Sequence, residues 1–455
     1  MYKRQKPDLT LYLDNTPERL RERKQELPVA ELKRQVEAWR DFIPSLPNAQ
    51  IVTTDKPLKQ VAENVAHLIL HKRAEMTEKV LKVNPSAAKY LWDGDCTYIV
   101  LPNKKHCRWI LPTSRNAFRQ SWSLYQPHSF KGKIYKRFLQ INGFLLPRPK
   151  IIIRKDELNS KVSDELRDTL AKIIKKEEII MAIANGTPSP YRKINGLVMS
   201  SEGEPLSFIK IGETELARER VIKEAEILKK IEKINFGEVH IPQCLYSGKL
   251  GNSHVLIQTI PPFKGKKGIV QLDDKYTNIL RILADKTAKM VPFHSSSFVK
   301  SLKESILNYS LSYRELLKKA YETLLKDSGD RKISMGLAHG DFAPWNMLWN
   351  DKEVFIYDWE SSCEQAPVGI DLIHFLFQVG FLLKNLRGDK LLSYINKKSE
   401  EPYKKLSLIF GIKLLEKKTL ILAYLLHMAV IEDTPQQLSR AAVERRNLIK
   451  LIVYG

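Results

Sequence analysis

The sequence predicts an α+β fold, and three observations carry that prediction. Residues 179–211 hold three short apolar runs divided by two turn-rich segments, the pattern of an antiparallel meander. A strongly amphipathic helix follows over residues 215–234, with Val221, Ala225, Leu228 and Ile231 on one face. From about residue 263 to Gly455 the pattern is mainly helical, broken by one block, residues 337–359, where a polar loop leads into a strand that ends on an acid.

A chain of 455 residues exceeds one ordinary core, so two or three domains are expected. Met1-Tyr2-Lys3-Arg4-Gln5 resembles the translation of a sequencing-adaptor end and is set aside as a scar. Residues 6–170 form an accessory region of unassigned role. Asn15-Thr16-Pro17-Glu18 resembles a helix start, Pro28 divides the Glu/Arg/Lys/Leu-rich stretch after it into two helices, and another helix is expected over residues 58–83. Thr97–Pro102 and residues 109–112 read as short strands closed by proline, residues 151–153 as another, and residues 155–176 as a helix and junction. Between Trp122 and Phe138 aromatic residues alternate with basic ones. That mixture suits either stacking on nucleic acid or packing against a neighbouring domain, and packing is the commoner use.

The formal charge of +23 favours anionic partners, or simply marks lysine-rich solvated helices. Four cysteines lie far apart with no CxxC pair, which offers neither a disulfide framework nor a zinc site and suits a reducing compartment. No apolar run reaches the roughly 18 residues that span a bilayer. Residues 420–431 read as a buried helix, and the N-terminus lacks a signal-peptide pattern. A cytoplasmic protein is expected, with room for peripheral membrane contact.

The chemistry concentrates in residues 337–359. Asp341 and Asn346 lie five apart in a loop, and twelve residues after Asn346 a strand delivers Asp358, with Glu360 two further on. Phosphoryl transfer asks for a carboxylate beside the attacking hydroxyl and hard oxygen ligands for Mg²⁺, and Asp341, Asn346 and Asp358 supply that set. The D-x-x-x-x-N spacing equals that of the protein-kinase catalytic loop, yet Gly340 follows His339 where arginine is expected, and the second acid begins Asp-Trp-Glu rather than Asp-Phe-Gly.

With those departures, H-G-D-x-x-x-x-N followed by Ile-x-Asp-x-Glu resembles the aminoglycoside phosphotransferase and choline kinase family. The resemblance covers residues 177–454. It implies a bilobal protein-kinase-like fold: a nucleotide-binding N-lobe over residues 177–262 and a helical C-lobe over 263–455. It further implies ATP and Mg²⁺ as cofactors, Asp341 as catalytic base, Asn346 and Asp358 as metal ligands, and Asp371 as a brace for the loop begun by His339. Glu360 matches a second acidic position. Lys210 on the third strand fits the phosphate-holding lysine and Glu224 its partner, with Glu226 as the alternative. The first turn, 185–193, has one glycine instead of three. Gly186, Ser189 and Thr187 could still hold phosphate oxygens, and residues 258–262 occupy the expected base-binding hinge.

The implied reaction moves the γ-phosphoryl group of a nucleoside triphosphate to a hydroxyl on a small acceptor: sugar-like, amino alcohol or aminoglycoside. A catalytically inactive kinase-fold nucleotide-binding scaffold in a polysaccharide or envelope pathway is the alternative, against which every expected polar group is present. A nucleic-acid-binding attachment within residues 93–140 is a third reading. The sequence leaves open the acceptor, the choice between ATP and GTP, and the oligomeric state.

Overall fold

The computed structural model describes residues 9–23, 27–46, 49–58, 60–66, 68, 85–92, 97–102, 107–125, 134, 136–137, 150–152, 160–186, 189–268, 272–307, 311–432 and 439–455. Residues 1–5, Thr187 and most of the stretch between Trp122 and Phe138 lie outside them, as does much of the helix expected over 58–83.

The chain begins with two short parallel strands, Thr10–Asp14 and Ala49–Thr53, joined through the helices Pro17–Arg23 and Val29–Phe42. Pro28 sits at the N-cap of the second helix in an extended conformation (φ −60°, ψ 148°), so it divides the helices as its ring requires. The Arg40 guanidinium grips the Asp14 carboxylate at 2.8 Å and ties helix to strand.

The central feature is an eight-stranded, wholly antiparallel sheet. Its strands lie in the order Cys244–Leu250, Ser253–Gln258, Pro205–Gly212, Lys193–Ser200, Ile179–Asn185, Cys107–Pro112, Thr97–Pro102 and Lys150–Ile152. Five of these belong to the meander and the strands that follow it. The other three come from the accessory region and join through Trp109↔Ala184 and Ile110↔Ile183. The sheet therefore runs across the boundary expected near residue 170.

Side chains alternate between the two faces of a strand, and each face here has its own cover. On one face Met181, Ile183, Ile194, Val198, Ile209 and Val255 pack in a cluster that includes Leu166 and Leu170 of the Ser160–Ile174 helix. On the other, Ala182, Leu197, Met199 and Phe208 meet Phe118 and Trp122 from the accessory region. Trp122 is 1% exposed, with Phe118 at 5.8 Å and Tyr125 at 6.3 Å between ring centroids. Those described aromatics are packed rather than free to stack on bases.

The second lobe is mainly helical. Its Lys417–Glu432 helix is apolar all round, and Leu420, Leu425 and Leu426 are fully buried, as a helix surrounded by others should be. Among the described residues no helix is long and apolar enough to cross a membrane. Two small sheets hold the loop segments between the lobes. In one, Lys332–Ala338 pairs with Lys289–Pro292 and Cys363–Pro367. In the other, Met347–Trp349 pairs with Val354–Ile356 and Lys266–Lys267. The architecture is thus α+β and bilobal.

Candidate active site

The loop 339–346 hangs between the ends of two strands, so its shape depends on side chains that satisfy its backbone. Asp371, in the first turn of the Ile370–Gln378 helix, accepts the amide hydrogens of His339 (2.7 Å) and Gly340 (3.0 Å). Gly340 has φ +80°, and a Cβ there would stand 2.0 Å from the Ser361 carbonyl oxygen, so glycine is required. The His339 ring is wholly buried, and burial holds its pKa below the ordinary value. Its Nε2–H donates to the Tyr357 carbonyl (3.1 Å), and its Nδ1 accepts from the Asp341 amide (3.2 Å). One neutral tautomer makes both bonds, which makes His339 a strut between the loop and the strand before Asp358.

Both oxygens of the Asp341 carboxylate are held. Asn346 Nδ2 donates to Oδ2 (2.7 Å) and to the Asp341 carbonyl (2.9 Å), while His374 Nε2 lies 3.0 Å from Oδ1. The Asp341 side chain keeps 31% exposure, so the carboxylate is fixed yet reachable. With its nitrogen on Asp341, Asn346 has its amide oxygen left over. Its backbone carbonyl accepts from the Tyr357 amide (3.1 Å), which brings this loop beside Asp358.

Above the loop lies a cluster of acids and bases. Lys210 Nζ bonds both Glu224 oxygens (2.5 and 2.7 Å) and Asp358 Oδ1 (2.8 Å). Burial opposes the Lys210 charge, but Asp358 and Glu224 together raise its pKa above the ordinary range. Burial likewise opposes the Asp358 charge, and the Lys210 and Lys193 ammoniums outweigh it and hold the carboxyl well below its usual value. Glu224 is fully buried and also accepts from the Trp359 amide (3.2 Å), whereas Glu226 faces solvent. Asp358 has φ +73°, a left-handed conformation that costs a non-glycine residue about 1–2 kcal/mol, and the bonds around it hold it there.

Glu360 pairs with Lys193, whose Nζ also stands 3.6 Å from Asp358, and with Arg220 at 3.6 Å. Arg220 in turn covers the Tyr191 ring at 3.9 Å, which links the 185–193 turn to the acids. Gly186 closes that turn with its amide on the Lys193 carbonyl (3.0 Å), and Ser189 sits exposed at its tip. At the expected hinge, Gln258 is 3% exposed, shares a face with Phe208 and Lys210, and has Oε1 without a partner among the described residues.

The donor set suits a hard cation. Carboxylate oxygens of Glu224, Asp358 and Glu360 lie within 4.8 Å of one another, and the Asn346 amide oxygen is uncommitted. Asp341, His339, Asn346, Asp358, Asp371, Lys210, Glu224 and Glu360 thus come together, while Gly186 and Ser189 lie on a turn joined to them through Tyr191 and Arg220.

Four residues escaped the sequence reading. His374 follows Asp371 by three positions, one helical turn, and that spacing was a usable signal. Lys193 is the last residue of the expected phosphate turn, but nothing local announces a partner 167 residues away. Lys267 donates to the Trp345 carbonyl (2.8 Å) and lies 4.5 Å from the Tyr357 ring centre. Burial and then the Lys136 charge push its pKa down to about 7, partly offset by Asp358. A hinge binds a base through its backbone, so the sequence alone gives no weight to the Gln258 side chain.

No protein-family model matches the chain, and no curated protein matches it in sequence. Solved structures match in backbone arrangement. A thermostable mutant of the aminoglycoside phosphotransferase APH(4)-Ia, in ternary complex with ADP and hygromycin B, is 11% identical and covers 64% of this chain and 98% of its own, with a TM-score of 0.42. APH(2'')-IIa in a ternary complex with streptomycin and ATP is 15% identical, covers 64% and 98%, and has a TM-score of 0.35. The amicoumacin kinase hAmiN, in complex with AMP-PNP and Ca²⁺, is 10% identical, covers 60% and 87%, and has a TM-score of 0.36. These are the kinds of protein that this chain is similar to.

Proposed function

We propose that the chain transfers the γ-phosphoryl group of ATP to a hydroxyl of a small molecule. The observation that carries this reading is the Asp341 carboxylate. It is fixed on both oxygens by Asn346 and His374, open to solvent on its remaining side, and bonded through Asn346 to the strand that bears Asp358. Asp341 orients the acceptor hydroxyl and takes its proton as the oxygen attacks. Lys210, released from Asp358, holds the α and β phosphates while Glu224 fixes its ammonium. Asp358 and the Asn346 amide oxygen would hold Mg²⁺, with Glu360 beside them, and the ion would neutralise charge on the phosphates. Lys193 and Arg220 keep Glu360 in place from the turn above. The Gln258 oxygen, without a partner among the described residues, is an acceptor for an exocyclic amino group of the base.

The test is ADP release with Mg²⁺ across sugars, amino alcohols and aminoglycosides. Asp341→Asn should lower turnover by at least about a hundredfold and leave nucleotide affinity in place. Full activity in that variant would remove Asp341 from the role. ATP binding without turnover on any acceptor would favour the inactive scaffold instead.

A further inference from the structure

Away from the cleft, the loop between the Gly388–Ser407 and Lys417–Glu432 helices presents large apolar side chains to solvent. Phe410 is 103% exposed and Leu408 83% exposed, at alternate positions of one loop tip. The loop is built rather than loose. Tyr403 Oη–H donates to the Leu415 carbonyl (2.7 Å) across its base. The Ser334 amide donates to the Lys413 carbonyl (2.8 Å), and the Lys413 amide donates to Ser334 Oγ (2.9 Å), which pins its return leg to the Lys332–Ala338 strand. Ile409 and Leu414 pack against the core, and the Ile412 amide closes a turn on the Ile409 carbonyl (3.0 Å) with Gly411 at φ +78°. The same bonds that turn Ile409 towards the core, where it is half-buried, therefore hold Leu408 and Phe410 outward.

The surroundings are net positive. Residues 397–418 contain seven lysines against three glutamates, and Lys404, Lys405 and Lys413 flank the tip. Exposed pairs offset part of that charge, with Lys404 and Lys417 on Glu400, Lys404 on Glu401, Arg331 on Glu416 and Lys405 on Asp274, while Lys413 has no carboxylate partner among the described residues. Such exposed pairs are weak and can exchange for other anions. Two apolar side chains inside a cationic rim match an anionic lipid interface, where rings and aliphatic chains enter the headgroup boundary and ammoniums meet phosphates. An acidic protein surface would satisfy the lysines but would leave Phe410 in water unless it brought its own pocket.

We propose that the 408–411 loop tip docks on an anionic membrane surface, with Leu408 and Phe410 entering the headgroup boundary and the flanking lysines facing lipid phosphates. This inference stands apart from the phosphotransferase reading, because its readout is partitioning and involves no turnover. The full chain should co-sediment with vesicles of phosphatidylglycerol and phosphatidylcholine, and much less with phosphatidylcholine alone. The Leu408→Ser/Phe410→Ser variant should lose at least about tenfold in partitioning with an unchanged melting temperature. A Phe410→Trp variant, compared with the parent chain, should gain blue-shifted emission on the anionic vesicles. Absence of binding by the parent chain would overturn the proposal. So would equal binding by the double variant, which would make the attraction purely electrostatic. A change in gel-filtration volume for the double variant, with no change on vesicles, would overturn it in favour of self-association.

Discussion

Replacing Lys210 with methionine tests the centre of the site without an acceptor in hand. Lys210 is 4% exposed and Glu224 fully buried, and the ammonium is the bonded cation between Glu224 and Asp358. Methionine keeps the volume but leaves two carboxylates facing each other, with Lys193 at 3.6 Å from Asp358 as the remaining compensation. Removing one partner of a buried pair costs about 3–5 kcal/mol. At about 2–4 °C per kcal/mol for a unit of this size, the melting temperature should fall by about 6–20 °C. The companion variant Lys210→Met/Glu224→Gln removes the uncompensated charge and should recover at least about 1 kcal/mol of that loss. Urea unfolding followed by tryptophan emission reads both, since Trp359 is fully buried with its amide on Glu224. If Lys210→Met unfolds within about 0.5 kcal/mol of the parent chain, or the double variant is no better than the single one, the ion pair is not what holds these elements together.

Other perturbations separate geometry from charge. His374→Ala removes a hydrogen bond to a charged oxygen, a loss of about 1.5–3 kcal/mol, so turnover should fall about 10- to 150-fold with nucleotide affinity unchanged. His374→Gln, which keeps a donor, should recover part of it, and equal turnover in the alanine variant would refute the positioning role. Gly340→Ala puts a Cβ 2.0 Å from the Ser361 carbonyl at φ +80°, so activity should vanish while a nucleotide-binding assay still gives a signal; retained activity would show that the loop shifts freely. Lys267 has a folded pKa of about 7 against about 10.4 when unfolded, with Lys136 and Asp358 as the charged groups acting on it. The folded state binds fewer protons between those values, so that group's contribution to stability rises with pH across the window. Lys267→Met should therefore melt higher than the parent chain near pH 6, with the gain shrinking towards about pH 10. A gain that does not change with pH would refute the assignment.

The part of the site that was legible in the sequence is the part confined to one stretch of chain. His339, Asp341, Asn346 and Asp358 must keep fixed spacing because one loop and one hairpin carry them all. Lys210 and Glu224 needed strand and helix order, and Glu224 could be told from Glu226 only when the helix was docked and one of the two faced the sheet. Lys193 was illegible for a different reason: its partner is decided by how far the first turn folds over the acids. The three accessory strands were read as strands, but strand edges carry no written address, and the pairing of Trp109 with Ala184 depends on register that single runs do not specify. The short Thr10–Asp14 strand passed unnoticed because five residues beside a helix-rich stretch give too brief a period to count.

The pairing of the accessory strands with the first strand of the meander also sets an order of folding. Cys107–Pro112 is made first, yet its neighbour in the sheet, Ile179–Asn185, follows about seventy residues later and is itself completed by strands up to Gln258. During synthesis Phe118 and Trp122 can meet Ile99, Leu101 and Leu111, but the rest of their cluster is missing until Ala182, Leu197, Met199 and Phe208 exist. Such distant pairing is slow and leaves apolar groups waiting in the open. The accessory region and the cleft lobe should therefore acquire protection from amide exchange together, and a chain begun at residue 177 would carry a bare strand edge and an uncovered aromatic seat.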